Sequence, residues 1–215
     1  MLLLVIIHPI YVSVVFQLVA GSLPLDFTNT LDNRGMGPER EQELLSTYAD
    51  LTAFLRQSNA ISDALARKLN ARAAREPRVA AAIVTKAQAL REAMYRVIEA
   101  IAENREPAPA DLKSVNDAVA NSASRSHLQR SGENFAWTWS GEPDALERAL
   151  WPIIRATADL LTSENLSRIR LCEADTCRWA FLDTSRNRSR RWCDMKVCGN
   201  RAKARRFYER QRHTD

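Results

Sequence analysis

The chain has 215 residues, of which 46% are hydrophobic and 27% charged; this is the composition of an ordinary folded protein and excludes global disorder. With 6 glycines and 8 prolines, it is neither collagen-like nor dominated by linkers. The net charge of +5 is unevenly spread, because residues 166–215 hold 14 Lys and Arg against 6 Asp and Glu, whereas residues 1–165 hold 17 against 20. The basic C-terminal segment indicates either a polyanionic partner or a solvated basic face.

The N-terminal residues 1–15 are apolar and carry no charge. They lack the basic start of a secretory signal, and Pro9 interrupts the run together with several polar residues. We expect a buried strand, or a tail lying on the sheet, from Ile10 to Val19. The alternatives are an export signal or membrane segment, which would make a membrane-tethered protein, and an extension of residues 1–14 outside the fold. A second strand with its turn is predicted from Leu23 to Leu31.

The middle of the chain is predicted to be mainly helical, because apolar residues recur there at helical spacing. Proline opens two of these helices, and Pro152 is expected to kink the last one. The predicted helices span residues 44–57, 62–74, 77–104, 111–120 and 143–162.

A hairpin is predicted over residues 127–139, because two strand-like runs flank Ser131-Gly132-Glu133. Trp137 and Trp139 are two residues apart, so both side chains point to one face of the hairpin. They either pack between this sheet and the helices or form the aromatic wall of a small-ligand pocket. Asp26 and Asn29, near the end of the second strand, either cap turns or add polar groups to such a pocket.

All four cysteines, Cys172, Cys177, Cys193 and Cys198, lie in the basic segment. Two C-x4-C pairs separated by fifteen residues form the pattern that tetrahedral zinc requires, and two disulfides in an exported protein are the alternative. A segment of this size buries too little surface to fold alone. Structural zinc would contribute an apparent binding free energy on the order of 10–16 kcal/mol, which becomes part of the folding free energy. Because four thiolates fill the coordination sphere, we predict one structural Zn²⁺ without a catalytic position.

The order of elements in the basic segment is also predicted. A knuckle over Cys172–Cys177 precedes a strand over residues 178–183, and a turn over 184–189 leads back through residues 190–192. A helix begins at about Lys196 and carries the last ligand. Knuckle, hairpin and helix in this order are the treble-clef arrangement.

Residues 192–201, which include Cys198-Gly199-Asn200-Arg201, resemble the CGNR zinc finger family. Residues 181–187 and 190–193 also match the pattern of that family. Arg178 departs from it, since a small residue, often Gly, is expected there. Members of the family usually carry an N-terminal domain called ABATE, and residues 25–30 resemble the opening motif of that domain.

The resemblance implies a bacterial, cytoplasmic transcription regulator of the α+β class. Residues 1–165 would form the ABATE-like domain, mainly helical with a small antiparallel sheet, and residues 166–215 the treble-clef zinc finger. DNA is the expected partner of the finger. The N-terminal domain would bind a small-molecule ligand or form a homodimer, and a membrane partner is not expected.

Arginine forks pair with phosphates and, in the major groove, with guanine, so the basic side chains of the finger are the candidate DNA contacts. Arg201 has a structural alternative, namely packing on Trp192 or bonding the knuckle. The candidates are Arg186, Arg188, Arg190, Arg191, Arg201, Lys203, Arg205, Arg206 and Arg210.

The sequence contains no motif that is typical of an enzyme. A nuclease of the HNH type needs a histidine beside the metal, and the only histidines are His8, His127 and His213. Phosphate loops and nucleophile elbows are also missing from the sequence. We therefore expect a protein without catalytic activity, and the alternative function is an interaction module that binds another protein or structured RNA.

Overall fold

The computed structural model describes residues 15–212, so the expectations for residues 1–14 lie outside the described part. The described chain forms seven α-helices and six short strands. The helices are α1 (Leu23–Thr28), α2 (Tyr48–Gln57), α3 (Asp63–Arg75), α4 (Pro77–Ala102), α5 (Pro109–Ala123), α6 (Trp151–Leu161) and α7 (Asn200–Arg212). The strands are β1 (Leu31–Asp32), β2 (Gln42–Glu43), β3 (Ser126–Ser131), β4 (Asn134–Trp139), β5 (Ile169–Leu171) and β6 (Ala180–Leu182).

The N-terminal part of the described chain differs from the prediction. Residues 15–19 form no strand, and the predicted strand over residues 23–31 is mostly the helix α1. Pro24 in the first turn favours a helix start. This short helix is buried on nearly every side, with Leu25 and Phe27 fully enclosed, so its sequence lacks the polar face by which a helix is recognised.

The helical prediction for the middle of the chain is confirmed, with two changes at helix starts. Helix α2 begins at Tyr48 rather than at residue 44, because Thr47 and Asp50 form a reciprocal capping box there. Pro152 lies in the first turn of α6 and therefore starts that helix instead of kinking it.

The main core surrounds α4, the longest helix. Its buried stripe includes Ile83, Leu90 and Met94, which pack with residues of α2, α3 and α6. Helix α5 lies along α4 and contributes Val115. All three sheets in the described part consist of two antiparallel strands. The predicted class, a mainly helical region with small antiparallel sheets followed by a zinc finger, is confirmed.

The predicted hairpin is formed by β3 and β4, with Leu128 opposite Trp137. Trp139 packs on Trp151 of α6, with 5.9 Å between ring centroids. Trp137 is 50% exposed, and the guanidinium of Arg155 lies 4.2 Å from its ring centroid. Trp139 therefore packs between the hairpin and the helices, which is one of the two predicted alternatives, whereas Trp137 lies at the edge of this contact.

The hairpin of the finger lies in a different place from the predicted one. Strand β6 pairs with β5, which precedes the first cysteine, and residues 190–192 form no strand. The carbonyl of Arg191 instead accepts from the Glu173 N–H at 3.0 Å. The prediction missed Ile169-Arg170-Leu171 because three residues give too short a pattern to recognise as a strand. The treble-clef assignment stays a prediction.

The finger packs directly on the N-terminal helices through a second hydrophobic cluster. This cluster includes Leu25, Ile98 and Leu160 together with Phe181 of β6. Asn29 continues the contact by pairing with the backbone of Ala180, whose N–H donates to Oδ1 and whose carbonyl accepts from Nδ2, both at 2.9 Å. This packing fixes the position of the cysteine cluster relative to α1 and α4.

Candidate metal centre and nucleic-acid interface

The four cysteine sulfurs lie within 4.8 Å of one another, and all four residues are buried. Two of the Sγ–Sγ distances are 3.6 Å (Cys177 to Cys193) and 3.7 Å (Cys193 to Cys198). A disulfide needs about 2.05 Å, whereas a tetrahedron with Zn–S bonds of about 2.3 Å has S–S edges of about 3.8 Å. The donor set therefore fits one zinc ion, and the predicted cofactor is confirmed.

The first cysteine pair is positioned by the β5–β6 hairpin. Cys172 directly follows β5, and its N–H donates to Trp179 O at 2.8 Å. The chain then turns back, and the Cys177 N–H donates to Ala174 O at 2.9 Å. Both sulfurs therefore lie at the closed end of the hairpin.

The second pair depends on a different set of contacts. The carboxylate of Asp194 accepts from the Lys196 N–H at 2.6 Å, and its carbonyl accepts from the Gly199 N–H at 3.1 Å. These bonds form one wide helical turn, Met195–Gly199, which carries Cys198 and leads into α7. The last zinc ligand thus lies at the start of a helix, as predicted.

Arg178, directly after the second cysteine, has a φ of 59°, in the left-handed region that favours glycine. This conformation explains why a small residue was expected there. The guanidinium bonds Glu99 and Glu103 of α4, each at 2.8 Å. The Arg178 carbonyl accepts from the Tyr95 hydroxyl at 3.0 Å, so the knuckle is attached to α4 through this residue.

The turn over residues 184–189, called the arginine loop below, is organised by the buried Asp183. Its carboxylate accepts from the Ser185 N–H at 2.9 Å and from the Arg190 N–H at 3.1 Å. Burial alone would raise the pKa of Asp183, but these hydrogen bonds outweigh it and hold the pKa below its usual value. Arg186 and Arg188 are exposed on this loop, and neither forms an ion pair within residues 15–212.

Arg190 forms structural contacts within the chain, and its role as a DNA contact stays a prediction. Its guanidinium donates to the carbonyls of Trp192 (2.9 Å), Val19 (3.2 Å) and Cys193, and lies 4.6 Å from the ring centroid of Phe181. These contacts use the donors that a phosphate would need.

Three further arginines are already paired with the knuckle. Arg191 bonds Glu173 with Nε–Oε2 at 2.6 Å, Arg205 bonds Asp175, and Arg201 donates to the hydroxyl of Thr176 at 3.0 Å. Arg201 thus bonds the knuckle, as its structural alternative predicts, and its role as a DNA contact stays a prediction. We call Glu173 and Asp175 the knuckle acids. Nothing in the spacing of residues along the chain predicts that they face the basic helix.

The remaining basic residues of α7 lie on another side of the helix. Lys203, Arg206 and Arg210 follow the spacing i, i+3, i+7, whereas Arg201 and Arg205 follow i, i+4 on the opposite side. The first three are exposed. We call the side of α7 that carries Lys203, Arg206 and Arg210 its outward side. Two of these residues also contact the finger, since the Arg206 guanidinium lies 5.9 Å from the ring centroid of Trp192 and Arg210 Nε donates to the Arg206 carbonyl at 3.3 Å.

The four residues predicted for a ligand pocket lie in two separate parts of the structure and form structural contacts there. Asp26 accepts from the Ala20 N–H at 2.9 Å, and Asn29 pairs with β6. Burial raises the pKa of Asp26 to about 6, although hydrogen bonds from backbone N–H groups oppose this shift. Trp137 and Trp139 instead lie along α6. The structure does not assemble these residues into one pocket.

The fold and the sulfur cluster define a zinc-finger protein with a mainly helical N-terminal domain. Residues 168–211 match the model of the CGNR zinc finger family, and residues 21–164 match the ABATE family, described as "Putative stress-induced transcription regulator". The chain therefore belongs to the ABATE family, which confirms the resemblance. No curated protein matches the chain. Within residues 15–212, no helix combines the length and apolar character needed to cross a bilayer.

Proposed function

We propose that this chain is a cytoplasmic transcription regulator that binds DNA through the arginine loop and the outward side of α7. The proposal rests mainly on the structure of the arginine loop. Two exposed arginines without an internal ion pair in the described chain lie on a turn that Asp183 holds in place between β6 and the second cysteine pair. An ordered loop of this kind presents its guanidinium groups to a phosphate backbone without first breaking other bonds.

The outward side of α7 supports the same proposal. Its 13 residues span about 20 Å, and a helix of this kind fits the major groove of B-DNA. Lys203, Arg206 and Arg210 would face the nucleic acid from this helix. In this arrangement the loop fixes the protein on the backbone, and the helix side chains reach the base edges.

The zinc ion has a structural role in this proposal. With four thiolate ligands it has no open position for a substrate or an activated water, so we assign the protein no catalytic activity. The metal brings the knuckle, the arginine loop and α7 together. Cys172, Cys177, Cys193 and Cys198 would hold it.

The alternative function, binding of structured RNA or of another protein, also has a specific observation in its favour. Phe207 and Tyr208 on α7 are 51% and 64% exposed. Exposed aromatic rings stack on unpaired bases and are common at protein interfaces. The assay below therefore includes RNA.

The test uses the zinc-loaded full chain and a random-sequence duplex, with affinity measured by fluorescence anisotropy at several salt concentrations. Replacing Arg186 and Arg188 by Ala should lower the affinity and reduce the magnitude of the log–log salt slope by about 2, because two phosphate contacts are lost. The matched control replaces Arg67 and Lys68, two exposed residues of α3.

An unchanged salt slope in the arginine-loop variant would overturn the proposed surface. Tighter binding to a structured RNA than to duplex DNA at equal salt would favour the alternative function. Selection of bound sequences from the random pool then identifies the operator.

A further inference from the structure

The N-terminal domain contains a cleft of about 340 Å³ between α4, α5 and α6. Trp139, one of the residues predicted for a ligand pocket, packs on Trp151 of this cleft but does not line it. The floor of the cleft consists of the buried side chains of Leu90, Leu150, Trp151 and Ile154. Its volume falls within the range of small-molecule sites, which is roughly 300–1,000 Å³. An apolar floor with one indole ring suits a compact organic molecule with an aromatic or aliphatic body.

The polar groups of the cleft lie at its rim. Ser114 and Asn121 of α5 offer a hydroxyl and an amide, and the two walls also include the small side chains Ala89 and Ala118. Small residues leave space for a ligand between the helices. Neutral donors and acceptors beside an apolar floor are the usual means by which such sites orient a ligand.

The charges at the rim indicate the sign of the ligand. One cation, Lys86, lines the cleft together with two carboxylates, Asp117 and Glu147. The guanidinium groups of Arg148 and Arg125 lie 5.5 and 5.9 Å from the ring centroid of Trp151, so the carboxylates are the groups left to bind a ligand charge. Lys86 Nζ lies 3.1 Å from Glu147 Oε1, so these two charges already offset each other. Asp117 pairs with Lys113 one turn earlier on α5, at 2.6 Å, but both side chains are mostly exposed. An exposed pair of this kind contributes little to stability, so a bound cation can replace Lys113 at Asp117.

We propose that this cleft binds a small organic cation: an ammonium group at Asp117 joined to an apolar body that lies on Trp151. The inference does not depend on DNA binding, since it concerns only residues of the N-terminal domain. The site is nevertheless connected to the finger, because α4 carries Leu90 at the cleft and Tyr95 at the Arg178 carbonyl.

Three probes that share one apolar body test the proposal: 2-phenylethylamine, 2-phenylethanol and phenylacetate. Each is titrated into the zinc-loaded full chain, with thermal unfolding and tryptophan fluorescence as readouts. We expect the amine to raise the Tm with increasing concentration and to bind at least several-fold more tightly than the alcohol, and the carboxylate to bind most weakly. Equal binding of all three probes, or binding of none, would overturn the proposal.

Variants locate the site. Ala89→Leu and Ala118→Leu fill the cleft from its two walls and should abolish binding, whereas Ala71→Leu on the exposed side of α3 should bind the amine as the unchanged protein does. Asp117→Asn should remove the preference for the amine over the alcohol. Because Ala89 and Asp117 are exposed, these two variants are expected to keep the Tm of the ligand-free chain. Amine binding that survives both leucine variants would place the site elsewhere and refute the assignment.

Discussion

Arg178 combines a backbone conformation that favours glycine with side-chain contacts that glycine cannot make. A non-glycine residue at φ 59° costs about 1 kcal/mol relative to glycine. The ion pairs to Glu99 and Glu103 offset this cost, although all three side chains are partly exposed. The residue is therefore better understood as an attachment to α4 than as a turn residue.

Two substitutions separate these contributions. Arg178→Ala loses the ion pairs and keeps the unfavourable φ, whereas Arg178→Gly loses the ion pairs and removes the backbone cost. We therefore expect the alanine variant to be less stable than the glycine variant by about 1 kcal/mol, measured by urea unfolding of the zinc-loaded chain. Equal stability of the two variants would show that the local backbone relaxes.

Asp26 gives the stability of the protein a specific pH dependence. Its pKa is about 6 in the folded chain against 3.8 for the free carboxyl. Between these values the folded state holds a proton that the unfolded state has lost, so the contribution of Asp26 to stability falls as the pH rises from 4 to 6. The total change amounts to about 3 kcal/mol.

Asp26→Asn should remove this contribution. The free energy of unfolding of the variant, relative to the unchanged protein, should rise by up to about 3 kcal/mol between pH 4 and pH 7. The measurement is urea unfolding at several pH values, with Asp63→Asn, an exposed carboxyl, as the control. A difference that stays constant across this range would contradict the raised pKa, since loss of a hydrogen bond alone is independent of pH.

At the scale of elements, the carboxylates of the knuckle would compete with a bound nucleic acid for the guanidinium groups of Arg191 and Arg205. Glu173 and Asp175 bond Arg191 and Arg205, and a groove of about 300 Å³ lies between the two elements. A phosphate that approached this groove would have to displace a carboxylate. The knuckle acids should therefore weaken binding of any polyanion.

The variant with Glu173→Gln and Asp175→Asn should consequently bind duplex DNA about tenfold more tightly at low salt and show a steeper salt slope, because two arginines become free. Anisotropy titrations at several salt concentrations measure both effects. Neutralising Glu41 and Asp63, which lie outside the finger, changes the net charge equally and serves as the control. If both double variants bind alike, the effect is one of overall charge and not of the knuckle.

Some of these elements could be predicted from the sequence and others could not. Long amphipathic helices and the cysteine pattern carry strong periodic or spacing signals, and α3, α4 and the sulfur cluster follow them closely. Helix α1 differs from the predicted strand because burial on nearly all sides removes the helical period from its sequence. The roles of Arg190 and the knuckle acids depend on contacts between distant segments, and spacing along the chain contains no information about these.

At the scale of the whole molecule, the two family matches cover one continuous packed body. The second hydrophobic cluster contains all four cysteines together with Leu25 and Ile98. The backbone of Gly35 also lies close to the knuckle, because a side chain at this position would collide with the carbonyl of Asp175. Zinc binding should therefore stabilise α1 and the C-terminal half of α4 as well as the finger.

Hydrogen exchange can test this coupling, because it reports protection element by element. On removal of zinc by a chelator, amides of α1 and of β6 should lose protection together, whereas those of α3, which lies outside the second cluster, should change much less. Asn29→Ala should produce the same loss in α1 even with zinc bound, because the two hydrogen bonds to Ala180 are buried and their loss costs about 2–4 kcal/mol. Asn116→Ala, at an exposed position of α5, is the control. If α1 kept its protection after chelation, the finger would unfold independently, and metal loss could not be communicated to the N-terminal domain through this interface.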